Sequence, residues 1–154
     1  MKKRKIILII LVILIGLITI YSKLDLYINW KIYLPGIQRR TVLFDDFFQD
    51  GDQISVIKYY NKLKMNAIKK INHFNSISPE NMNDIEEKLL DFYDGLGTNI
   101  NENNSKGVYD EKINNKQLLN TDNYYLIKQK NKSYIILILD MKDKKLYIFI
   151  TVRN

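Results

Sequence analysis

The chain contains no cysteine and only one histidine. The first absence excludes a disulfide framework, a thiolate metal site, a cysteine nucleophile and an acylated lipoprotein N-terminus. With His73 alone available, metal ligation by a His/Cys cluster is excluded as well. His73 stands beside an apolar helical position, Phe74, and reads as structural. A Ser-His-Asp triad would have to combine it with Ser55, Ser76, Ser78, Ser105 or Ser133, none of which sits in a nucleophile elbow. Glycine is sparse, and no phosphate-cradling loop is formed, because Gly95-Leu-Gly97 follows a helical pattern rather than a strand. No catalytic, cofactor-binding or metal-binding residue is assigned on this basis. The expectation is a protein that is not an enzyme and holds no cofactor.

What is present begins with Lys2, Lys3, Arg4 and Lys5, followed by sixteen uncharged residues from Ile6 to Tyr21. At about 1.5 Å per residue this run covers roughly 24 Å of a hydrocarbon core about 30 Å thick. Snorkelling of Lys5 and Lys23 and local bilayer thinning close the difference. The basic residues lie before the run, so the positive-inside bias keeps the N-terminus in the cytoplasm and sends the rest across. Residues 1–5 are therefore expected as a cytoplasmic tail, 6–22 as a transmembrane signal anchor and 23–154 as an extracytoplasmic domain. A cleaved signal peptide shares the basic start and apolar middle. Against cleavage stand the length of the run and the bulky residues around Ile18-Thr19-Ile20-Tyr21-Ser22, which offer no small pair at the −3 and −1 spacing.

The net charge of +7 invites a nucleic-acid reading. Four of the 24 basic residues precede the run, however, leaving 20 against 17 acidic ones, an excess of only +3. Without a basic stripe interleaved with stacking aromatics, no nucleic acid is expected as a partner.

After the anchor, Tyr27 to Leu34 reads as a strand ended by Pro35-Gly36, with Trp30, Tyr27 and Tyr33 as inward sheet aromatics or, alternatively, interfacial anchors. Thr41 to Phe44 and Gln53 to Tyr59 flank an Asp-Gly pair and predict a hairpin. The carboxylates of Asp45, Asp46, Asp50 and Asp52 invite a calcium loop. An EF-hand counted from Asp46 would place Phe48 and Ile57 at ligand positions, so the region reads as a solvated turn. Tyr60 to Phe74 predicts an amphipathic helix with Tyr60, Leu63, Ala67, Ile71 and Phe74 inward, Ile68 at the edge, and Lys58, Lys62 and Lys69 outward. That basic face is either solvated or set against anionic headgroups. A second helix starts at Ser78-Pro79-Glu80 and carries Met82, Ile85, Leu89, Phe92, Tyr93 and Leu96 on one stripe. Its outer face is acidic, opposite in sign to the first helix. Residues 98–121 dissolve into a polar loop, a candidate contact loop, with a short helix at Glu111 to Leu119.

Asn123 to Gln129, Ser133 to Leu139 and Lys145 to Val152 predict a three-strand antiparallel meander. The middle strand is apolar on both faces and should be central and doubly covered. In the last strand Leu146, Ile148, Ile150 and Val152 share one face, and Tyr147, Phe149 and Thr151 the other. The two helices are expected over one sheet face. The other is open to the bilayer, a partner, a homodimer mate or the long loop.

Trp30-Lys-Ile-Tyr-Leu-Pro35, Phe48-Gln-Asp-Gly-Asp52 and Leu139-Asp140 with Lys145-Leu-Tyr147 together resemble a group of small bacterial membrane-anchored or lipid-anchored proteins with no assigned activity. The match covers less than a fifth of the chain, and the acylated cysteine of the lipid-anchored members has no counterpart here. The resemblance implies a surface-tethered α+β domain and no particular chemistry.

The fold class expected is thus α+β: a transmembrane helix, then an antiparallel sheet built from an N-terminal strand and hairpin and a C-terminal meander, with two central amphipathic helices. The function expected is a single-pass protein of the cell membrane, presenting a binding domain to a protein or envelope partner outside. Alternatives are an envelope hydrolase using paired carboxylates and a secreted domain released by signal-peptide cleavage.

Overall fold

The computed structural model describes residues 7, 25–35, 40–45, 51–59, 61–96 and 117–153. The strands are β1 (Arg40–Asp45), β2 (Gly51–Lys58), β3 (Asn75–Ser76), β4 (Tyr124–Lys130), β5 (Ser133–Asp140) and β6 (Lys145–Val152). They form one antiparallel sheet in the order β1-β2-β6-β5-β4-β3. The helices are α1 (residues 25–30), α2 (Lys62–Ile71) and α3 (Pro79–Gly95). The fold is α+β.

The meander and the hairpin fall where the alternation places them. β5 lies between β4 and β6, and β6 in turn pairs along its whole length with β2, from Gly51 opposite Val152 to Lys58 opposite Lys145. Both turns of the meander use left-handed backbone, at Asn131 (φ 55°) and Lys144 (φ 56°). In the second, the Asp140 carboxylate accepts from the N–H groups of Lys142 (3.1 Å) and Asp143 (2.9 Å), closing the turn from within.

β5 and β6 are apolar on both sides, so the sheet needs two covers, and it has them. On one face Ile57, Ile135, Leu137, Leu139, Leu146, Ile148 and Ile150 meet Leu26 and Trp30 of α1, Ile32 and Leu34, and Met65 and Ile68 of α2. On the other, Ile54, Ile136, Ile138, Tyr147 and Phe149 meet Ile85, Leu89, Phe92 and Tyr93 of α3, together with Leu118 and Leu119. The expectation that both helices share one face is corrected. α2 and α3 lie on opposite faces. The end of the polar loop, through Leu118 and Leu119, contributes to the second cover.

The stretch expected as a first strand is helical over residues 25–30 and belongs to no strand over 31–35. Leu26 and Trp30, four residues apart, share one side of a helical turn, while Ile32 and Leu34 alternate with exposed Tyr33. A strand pattern and a helix-then-extension pattern coincide over so short a stretch. The switch falls at Lys31, whose φ of 53° and N–H bond to the Tyr27 carbonyl (2.9 Å) end the helix in a left-handed cap. Lys128 of β4 donates to the carbonyls of Trp30 (2.9 Å) and Lys31 (3.2 Å), satisfying helix-end acceptors. The segment beyond is held by a side chain instead of a strand. Asn72 Oδ1 accepts from the Tyr33 N–H (2.7 Å), and Asn72 Nδ2 donates to the Tyr33 carbonyl (2.8 Å).

α3 follows its expected stripe, and its start is tied by the Asn81 side chain, which accepts from the Ser78 N–H at 2.9 Å. The Ser78 hydroxyl also holds the Glu80 carboxyl below its ordinary range. α2 does not follow its expected stripe. Its buried residues are Met65 and Ile68, with Asn72 buried at its C-cap, whereas Leu63 is 79% exposed and Ile71 is 49% exposed; Phe74, beyond the helix end, is buried as expected. Asn61 caps its start by accepting from the Lys64 N–H (2.9 Å). Its end is a left-handed cap with His73 at φ 57°, the N–H groups of His73 and Phe74 turning back to Lys70 and Lys69. His73 is thus exposed backbone punctuation.

Residues 6 and 8–22 of the expected transmembrane anchor, residues 98–116 of the polar loop with most of its expected short helix, and Asp46 and Asp50 lie outside the described residues. Among the described residues no helix is long and apolar enough to cross a membrane.

Candidate interaction surface

Two groups of residues on this scaffold stand apart from ordinary core or ordinary surface. The first is a polar row at one end of the α3-covered face. Asp52, Thr151, Tyr134 and Gln129 oppose one another across β2, β6, β5 and β4. Thr151 Oγ1 donates to Asp52 Oδ1 (2.7 Å), and Arg153 Nη2 donates to both Asp52 oxygens (3.0 and 2.9 Å). Arg153 is fixed in turn by Ser133, whose Oγ accepts from its N–H (2.9 Å) and donates to its carbonyl (3.1 Å). Burial pushes the Tyr134 phenol up, with a hydrogen bond to Thr151 working in the opposite direction. Asp52 is therefore corrected from a solvated turn residue to a buried carboxylate in an ion pair. Its charge is engaged inside the protein, which gives the row a structural role: it closes the end of the sheet where β2 begins and β6 finishes.

Ser55 is likewise occupied in holding the fold. It is buried, and its hydroxyl accepts from Arg40 Nε at 2.7 Å, while Arg40 also bonds Gln53. Asp140 and Asp143 both line an open cleft of about 290 Å³ with Gln117, Asn120 and Lys142. Asp140 closes its own turn and Asp143 lies 3.6 Å from Lys145 Nζ. Among the described residues no group of three or more His, Cys, Asp or Glu side chains is arranged to hold a metal.

The second group is the outer surface of the α1–α2 layer. Tyr27 (51% exposed), Ile28 (59%), Tyr33 (51%), Leu63 and Ile71 all belong to it, whereas α3 contributes only Leu90 to the exposed large hydrophobics. Trp30 is buried as expected, though on a helix rather than a sheet; Tyr27 and Tyr33 are not. Charge is divided in the same way. Residues 25–35 and 61–74 carry five lysines and one aspartate, while α3 carries six carboxylates and one lysine. The Lys31 ammonium lies over the Tyr27 ring at 5.6 Å, and Lys69 over Tyr124 at 4.1 Å. The domain thus has a basic layer studded with exposed apolar side chains and an acidic layer nearly free of them.

An arrangement of this kind is chemically suited to a surface that is both apolar and anionic. Hydropathy alone misassigned its centre, because Leu63 and Ile71 look like core positions and Asn72 does not. One signal was available: Lys64 and Lys70 bracket the Leu63–Ile71 stripe, an uncommon placement for a core-facing one. No family model, curated protein or solved structure matches the chain.

Proposed function

We propose that this chain is a single-pass membrane-anchored protein whose α+β domain is a binding module held directly against the outer side of the bilayer. The observation that carries the reading is the position of Leu26. It is 1% exposed and belongs to the core, yet only Lys23, Leu24 and Asp25 separate it from the apolar run at 6–22. Three extended residues reach about 10 Å, so a domain whose core starts there has no stalk. The partner is a protein or envelope component reached at the membrane surface. Surface tethering also agrees with the resemblance to small membrane-anchored bacterial proteins.

Membrane fractionation of a C-terminally tagged chain, with carbonate washing and sizing of the band, tests the anchor. A full-length band resisting extraction is expected. A shortened band in the soluble fraction would mean cleavage near Ser22 and a released domain.

A further inference from the structure

Resting on that anchored reading, we infer that the outer face of the α1–α2 layer is a lipid-contact surface, seated on the headgroups of an anionic bilayer through the Leu63–Ala67–Ile71 stripe of α2. The stripe is the unusual feature. At about 100° per residue, Leu63, Ala67 and Ile71 span roughly 80° of arc, centred about 130° away from the buried Met65–Ile68–Asn72 side. α2 therefore has two faces of low polarity, and the one packed on the sheet includes an asparagine engaged with the Tyr33 backbone. Burial in the core accounts for one face only.

The flanks identify the occupant. Lys70 lies about 20° to one side of Leu63 and Lys64 about 20° beyond Ile71. Ammonium groups bordering an apolar stripe are the pattern of a helix lying in a membrane interface: the stems cover apolar area while the charges reach phosphate. Exposed Tyr27, Ile28 and Tyr33 extend the same layer with side chains suited to the headgroup region. Charge complementarity decides between a bilayer and a second copy of the chain. The basic layer has five lysines to one carboxylate, so pairing with itself brings like charges together, whereas anionic lipid neutralises them. Chain continuity supports the same occupant, because α1 follows residues 6–24 directly in the sequence and belongs to this layer. α3, on the opposite sheet face, is turned away from the membrane.

The test uses the full chain, which has no native cysteine, so single cysteines at exposed positions label cleanly. Leu63→Cys, Ile71→Cys and, on α3, Asp84→Cys each receive an environment-sensitive fluorophore. The proteins are reconstituted in phosphatidylcholine vesicles with and without phosphatidylglycerol. In the anionic vesicles the labels at 63 and 71 are expected to shift to the blue and to be quenched by acrylamide several-fold less than the label at 84. Lys64→Glu with Lys70→Glu should abolish that protection while leaving flotation with the vesicles unchanged. Labels at 63 and 71 as open to quencher as the one at 84, in protein that still floats, would overturn the lipid surface and leave the anchor standing. Protection that follows protein density at fixed lipid composition would identify a second copy as the occupant and also overturn it. Protein that fails to float in either vesicle would overturn the anchor and the surface together.

Discussion

Tyr59 is buried among the apolar residues of the α1–α2 face, and its hydroxyl has no hydrogen-bond partner. An unsatisfied buried hydroxyl costs about 1–3 kcal/mol, so Tyr59→Phe should stabilise the domain by about 1 kcal/mol at neutral pH. Burial also raises the phenol far above its ordinary value of 10.0. The unfolded chain ionises first, so this group's contribution is fully present below about pH 10 and is lost as pH rises beyond it. Thermal unfolding of the full chain in mild detergent should show the alkaline loss diminished in Tyr59→Phe. The Asp52–Arg153 pair behaves differently. Arg153→Leu strands a buried carboxylate and should cost about 1–3 kcal/mol, below the cost at a fully buried pair because the Arg153 side chain is 32% exposed. Adding Asp52→Asn should recover part of that loss, as unfolding of the single and double variants would reveal.

Helices α2 and α3 illustrate what could be read in advance. The α3 stripe, its Ser78-Pro79 start and all three meander strands were legible because dense apolar periodicity and turn residues agreed. α2 was not legible in the same way. Its core face is set by Met65, Ile68 and an asparagine whose partner, the Tyr33 backbone, lies 39 residues away, a tertiary contact invisible to a local pattern. The placement of α2 and α3 on opposite sheet faces was only half legible: β5 and β6 demanded two covers, but nothing local said which helix went where. A pair of substitutions reports the rotation directly. Ile68→Ala should cost about 2–5 kcal/mol and Leu63→Ala less than about 0.5 kcal/mol. Equal losses at both positions, measured by unfolding, would contradict the orientation of α2.

At the scale of the molecule, sequence and fold combine into one polarity. α1 and α2, the basic layer, sit on one side of the sheet, and the acidic α3 layer sits on the other. The surface that matters was assembled from residues that looked, singly, like core or like solvated charge. Only the two-sided sheet makes their segregation visible. The most direct measurement is protease accessibility of the C-terminally tagged full-length protein in intact cells, with any outer envelope made permeable and the cytoplasmic membrane left closed. A membrane-bound, full-length band that external protease degrades is the predicted result. A full-length band that stays protected until the cytoplasmic membrane is opened would contradict the account, placing the domain on the inner side.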